Sequence, residues 1–266
     1  MSDLKKMNMR SEEFDWDVPV ESVPLPSRGL IYSKNSWFHG RETVDIKAMT
    51  AREEDILSSQ AYIKKGVVVE ELIKSCIMQP NVDPLELTAG DRMALAVAIR
   101  ITGYGADYAV NITCPACDHK GQTNFDLSEL EIKRLGANPV ETGKNIFEFL
   151  LPVTKKTVHF KILSGTEEAE KNKEYENRVS LMGENSTGII TSNLTHAIVS
   201  IDGVSDPAKI AKFVNVMPAF DSRKLREYMS KIQPGIDLNV SYSCSNCEEV
   251  SPISLPMSTE FFWPTT

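Results

Sequence analysis

The sequence predicts an α+β protein, on three observations. Apolar residues recur with a helical period at 67–78 and 189–201, and 91–102 is apolar nearly all round. Short runs at 43–47 and 107–113 alternate as half-buried strands do, and 236–243 reads as the strand that delivers Cys244. Two C-x-x-C pairs, Cys114/Cys117 and Cys244/Cys247, each fall at the tip of a predicted hairpin.

Bulk properties bound the answer further. The chain has 266 residues, 41% hydrophobic and 25% charged, which suits one large or two small soluble domains. Its net charge of −8 argues against nucleic-acid binding through bulk electrostatics. No apolar run reaches the roughly 18 residues of a membrane span. The start of the chain lacks the apolar core of a secretory signal, so folding in a reducing cytoplasm is expected.

Taken in order, residues 1–42 read as an extended N-terminal arm. Residues 11–17 are acidic, and Pro19, Pro24 and Pro26 block a helix. Such an arm either lies along its own domain or docks on a neighbouring subunit. A helical part is expected over 43–107. It starts with a strand at 43–47 and a helix whose T-A-R-E start, Thr50 to Glu53, is a capping box. Ser58 and Ser59 interrupt that helix, and Pro80 ends the next one. The third helix, 91–102, is apolar nearly all round apart from Arg92 and Arg100, which predicts burial. Asp91 suits its first turn through the helix dipole. Gly103 and Gly105 stop it.

Residues 128–235 form an inserted α/β part. It is read as a short helix at 128–134, a strand pair at 145–151 and 156–163, and a charged helix capped by Thr166. Further helices are expected at 189–201, at 207–216 behind Asp206-Pro207, and at 222–232 capped by Asp221. Residues 108–127 plus 236–266 make a zinc-ribbon-like module, so the two knuckles bracket the insertion.

The cysteines carry the chemistry. Two residues between cysteines let one tight turn present two thiolates to one metal, and the chain does this twice. Zinc is therefore expected on Cys114, Cys117, Cys244 and Cys247. Disulfides remain the alternative if the protein meets an oxidant. Redox catalysis fits less well, because thioredoxin-type pairs open a helix. Residues 118–243 separate the pairs, a separation tolerable because loop-closure cost grows only logarithmically. Asp118 and Glu248 occupy the position that usually holds glycine after the second cysteine, which predicts a looser turn. His119 is read as exposed beside Lys120, with competition as a ligand the alternative. A closed four-thiolate set leaves no open position for substrate, and no nucleophile stands beside a base, so no catalytic residue and no enzyme activity are expected.

Several stretches carry a resemblance. They are LPSRGLIY (25–32), MTAREEDILSSQAYIKKGVVVEELIKSCI (49–77), GDRMALAVAIRITGYGADYAV (90–110) and CPAC, then PGIDLNVSYSCSNC and FFWP near the end. In that order they resemble the baseplate-hub protein family of contractile-tailed bacteriophages. The resemblance implies a non-enzymatic component of the central hub of a tail baseplate, found in the virion after assembly in the host cytoplasm. Its partners would be other hub and tail proteins and neighbouring copies of itself, with neither membrane nor nucleic acid. Phe261 to Trp263 would face a partner or pack on their own sheet. The other implied role is an assembly chaperone absent from the finished particle; a zinc-ribbon nucleic-acid binder is a third reading, opposed by Asp118, Glu248 and Glu249.

Overall fold

The structure is a computed structural model, and it describes residues 5–7, 18–182, 188–257 and 259–262. Strands β1 (Lys5–Met7), β2 (Val18–Pro24) and β3 (Thr43–Lys47) form an antiparallel sheet with β2 in the middle. Pro19 and Pro24 forbid a helix here, yet their fixed φ suits extended chain. Residues 25–42 return to β3 through successive tight turns that bury Leu25, Ser27, Ile31 and Phe38. The acidic residues 11–17 lie outside the described residues.

Helices α1 (Ala51–Ser58), α2 (Gln60–Lys65) and α3 (Val68–Cys76) follow. The capping box forms, with Glu53 accepting from the Thr50 amide at 2.9 Å. The serine interruption is present as well, since Ser59 ends α1 in extended geometry. The segment behind it forms α2, which ends on Gly66 in the left-handed region. The buried face of α3 is Val68, Leu72, Ile73 and Cys76, four residues on one helical stripe.

Helix α4 (Ala89–Tyr104) is the axis of the fold. At its start, Asp91 is fully buried and accepts from the Ser27 amide at 2.9 Å, from the Ser27 hydroxyl and from the Tyr32 hydroxyl. The Thr88 amide donates to the same tyrosine oxygen at 3.1 Å. Burial pushes the Asp91 carboxyl up, against the pull of these donors and of Arg134. One turn of α4 also meets the far end of the chain. A Cβ on Gly90 would lie 1.9 Å from the Pro234 carbonyl oxygen, so only glycine permits this approach. Near the other end, the buried Arg100 donates to the carbonyls of Phe261 (2.8 Å), Gly105 (2.6 Å) and Asp107 (3.0 Å). A guanidinium with its donors in a fixed fork can gather three separate backbone oxygens in this way.

Beyond α4 come β4 (Asp107–Thr113) and β5 (Lys120–Asp126), a hairpin. Residues 128–134 do not form the expected helix. The Asp126 carboxylate takes the Ser128 amide at 2.8 Å and starts only a 3-10 turn, Leu127–Glu129, which Leu130 ends in extended geometry. The chain then enters β6 (Ile132–Lys133), which pairs with β10 (Gly235–Ile236). Strands β7 (Phe147–Leu150), β8 (Thr157–Phe160) and β9 (Ile198–Ile201) make the second three-stranded sheet. Helix α5 (Gly165–Met182) is boxed by Ser164 rather than capped by Thr166: the Ser164 amide donates to Glu167 at 2.9 Å, and the Glu167 amide to the Ser164 hydroxyl at 3.3 Å.

The helix expected over 189–201 is split. Helix α6 (Ile189–Ala197) stops where Ile198–Ile201, rich in β-branched residues, adds to β8 as β9. Asp206 caps α7 (Pro207–Val216) as expected. Helix α8 (Ala219–Ile232) begins ahead of Asp221, and that residue is no cap. It is buried in the first turn and accepts from the amides of Val153 (2.7 Å) and Thr154 (3.0 Å), anchoring the β7–β8 turn. Strands β11 (Asn239–Ser243) and β12 (Val250–Ser254) form a second hairpin, and the 3-10 turn Thr259–Phe262 follows. Phe261 and Phe262 are buried in the core, and Phe261 packs edge-on to Tyr108. Trp263 lies outside the described residues. No described helix is long and apolar enough to cross a membrane.

Candidate metal centre

The two hairpins bring the cysteines together. Thr113 pairs with Lys120 and Ser243 with Val250, so each hairpin closes around six residues, C-P-A-C-D-H or C-S-N-C-E-E. The closures match bond for bond. The Cys114 amide donates to the His119 carbonyl at 2.8 Å and the Asp118 amide to the Cys114 carbonyl at 3.0 Å. In the second knuckle Cys244 donates to Glu249 at 3.0 Å and Glu248 to Cys244 at 2.9 Å. Asp118 and Glu248 adopt φ of 57° and 58°, the left-handed conformation that glycine normally supplies. Both turns close with the paired backbone bonds despite the missing glycine, and two non-glycine residues carry the conformational cost.

The hairpin bases are packed together through Tyr108, which donates to the Pro256 carbonyl at 2.9 Å. This fixes the two knuckles face to face. All four sulfur atoms lie within 4.8 Å of one another. Cys114 Sγ is 3.8 Å from Cys247 Sγ, and Cys117 Sγ is 3.7 Å from Cys244 Sγ. A tetrahedron with metal–sulfur bonds of about 2.3 Å has edges of about 3.8 Å, so the set fits a thiolate-bound metal. All five cysteines are free of disulfides, and Cys76 is buried on α3 and not part of the set.

The electrostatics point the same way. Backbone amides of Cys247 and Asn246 bring the Cys244 thiol down to about 6. The Cys117 thiol is also lowered, by the His119 amide and then by the Asn246 side chain. The Glu249 amide favours the Cys247 thiolate, but the neighbouring sulfurs of Cys117, Cys244 and Cys114 outweigh it and push that thiol up to about 12. Four thiolates this close repel, and a cation among them removes the repulsion.

The family comparison bears on this arrangement. The family model for the T4 bacteriophage base plate protein matches residues 31–263, which include α4, both knuckles and the buried Phe261 and Phe262. The chain belongs to this family. No curated protein and no solved structure matches it. As a phage baseplate protein, its setting is the virion tail and its neighbours are other baseplate and tail proteins.

In this baseplate protein the four cysteines singled out from spacing are brought together, and His119 is not among them. Its ring lies over Gly121, along β5. The spacing did not single out the donors to sulfur. The Ala116 amide reaches Cys114 Sγ at 3.4 Å, the Asn246 amide reaches Cys244 Sγ at 3.5 Å, and the Asn246 side chain reaches Cys117 Sγ at 3.6 Å. The signal for the first two was present in the motif, since each is the second residue after the first cysteine. The third is a contact between knuckles, which only the fold supplies.

Proposed function

We propose that this chain is a non-catalytic structural subunit of the central hub of the baseplate, stapled by one zinc ion. Cys114, Cys117, Cys244 and Cys247 would hold the metal, with Ala116 and Asn246 donating to the sulfurs. The observation that carries the reading is the closed four-sulfur set inside a chain of the baseplate family. Zinc would supply charge neutralisation and a cross-link between residues that are distant in sequence. Four protein ligands would leave it no position for substrate. Such a staple suits a part that must hold its shape while larger neighbours press on it.

Two measurements test this. Metal analysis of protein purified anaerobically without chelator is expected to give one zinc per chain; a metal-free, fully folded protein contradicts the staple. Mass spectrometry of purified particles, followed by location in a baseplate reconstruction, is expected to find the chain at the hub. A chain required for assembly but missing from particles is an assembly factor instead.

A further inference from the structure

The outer face of α8 is cationic on a chain whose net charge is −8. Arg223, Lys224, Arg226 and Lys231 lie along it, and Lys133 of β6 joins them by donating to the Ser230 carbonyl at 2.7 Å. The exposed carboxylate of α8 is Glu227, already held by Lys224 at 2.8 Å and by Arg223 at 3.5 Å. Beside these cations is an open groove of about 590 Å³. At the helix start the surface turns apolar, with Val216 74% and Phe220 46% exposed. Arg223 and Lys224 sit over the Phe220 ring, at 5.4 and 5.7 Å from its centre. The patch is therefore cationic with an aromatic corner, a surface suited to an acidic segment that also carries aromatic rings.

The chain contains such a segment. Residues 8–17, N-M-R-S-E-E-F-D-W-D, set four carboxylates and two aromatic rings against one arginine. They are bracketed by Met7 and Val18, which are paired in the β1–β2 ladder. With both ends held there, ten residues can reach out only about 17 Å. The α8 patch lies toward the opposite end of β2. Leu25, just past Pro24, accepts from Arg134 at 2.9 Å, and Arg134 adjoins Lys133 of the patch. Seven strand residues place that end about 20 Å from Val18. That backbone reach is shorter than the span of about 20 Å, which favours a neighbouring copy's α8, where no such constraint applies.

We infer that residues 8–17 of one copy dock on the α8 face of the next. Because the two surfaces differ, the contact is heterologous, and repeating it builds a ring or an open chain of copies. The inference gives surfaces to the contact between neighbouring copies that the resemblance implies. The zinc staple does not depend on it.

The test is sedimentation of the full chain. At about 0.1 M salt, concentration-dependent oligomers are expected, and at about 1 M, where the screening length drops to about 3 Å, they dissociate. Arg223→Glu with Arg226→Glu, both at exposed positions, is expected to weaken association at least about tenfold. Glu12→Lys with Glu13→Lys and Asp15→Lys is expected to do the same, and mixing the two variants restores association. A synthetic peptide of residues 8–17, followed by its Trp16 fluorescence, is expected to bind the wild-type chain and not the α8 variant. The inference is overturned by a monomer at about 100 μM, by oligomers insensitive to either variant, or by peptide binding that the α8 reversal leaves unchanged. A monomer that instead retains single-stranded DNA through α8 also overturns it and reassigns the face to a phosphate chain. None of these outcomes alters the zinc or particle measurements above.

Discussion

Glu53 offers the sharpest test of how the N-terminal part is held. Its carboxylate is fully buried and accepts from Lys47 of β3 and Ser75 of α3 on one oxygen, each at 2.6 Å. The other oxygen takes the Thr50 amide at 2.9 Å and the Thr50 hydroxyl at 2.6 Å. Burial alone would raise its pKa, but the Lys47 ammonium, Ser75 and Thr50 together hold it at about 2, below the ordinary 4.5. At about 1.4 kcal/mol per unit, that depression corresponds to roughly 3 kcal/mol of folding stability. The folded value is lower than the unfolded one, so this contribution is complete above about pH 4.5 and disappears as pH falls through about 2.

Glu53→Gln keeps the shape, removes the charge and turns one acceptor into a donor facing two donors. It is expected to cost about 3 kcal/mol at pH 6, measured by urea unfolding with both proteins otherwise identical. At pH 3 the gap is expected to shrink to about half, since the wild-type carboxylate has lost most of its advantage. Metal loss and other carboxylates act on both proteins alike and cancel in the difference. Carbon-detected NMR gives a direct check, with the Glu53 carboxyl still ionised at pH 3.5. A pH-independent gap, or a carboxyl titrating near 4.5, would refute the reasoning.

Other substitutions probe the remaining joints. Cys114→Ser and Cys247→Ser are expected to lower the melting temperature by similar amounts, and chelator should lower the wild type toward both; harm from only one of them sinks the shared site. Gly90→Ala is expected to cost about 3 kcal/mol, since the clash is with the Pro234 backbone and not a movable side chain; an unchanged melting curve contradicts the close approach. Arg100→Met removes the donors to three carbonyls and is expected to cost about 3 kcal/mol while exposing the segment around Phe261 to protease; resistance equal to wild type argues against Arg100 as its anchor. Asp221→Ala is expected to free the β7–β8 turn, seen as faster amide exchange at Val153 and Thr154; unchanged protection there rules the anchor out.

Features that depend on near neighbours could be read directly. The Thr50–Glu53 box, the Asp206-Pro207 start and the six-residue knuckles each close within a few residues, so residue type and spacing determine them. The α5 start is equally local: Ser164 and Glu167 form the same box, two residues ahead of the Thr166 expected to cap it. The run 189–201 misled because apolar periodicity cannot separate a buried helix from a helix followed by a buried strand. What decided it was the open edge of β8, which accepts residues 198–201, with β-branched Ile198, Val199 and Ile201.

The sequence alone determined that two knuckles would present four thiols, because two intervening residues force each pair onto one turn. Whether the knuckles would face each other was a tertiary matter, settled by Tyr108, Pro256 and Phe261 at the hairpin bases. The same division holds for the carboxylates. Asp91, Glu53 and Asp221 each look like ordinary helix-start residues, yet in the fold each gathers donors from other elements. Asp91 bonds across 64 residues to Ser27, and Asp221 across 68 to Val153. A charged group gains such partners only when packing excludes water from around it, and no local spacing encodes where that happens.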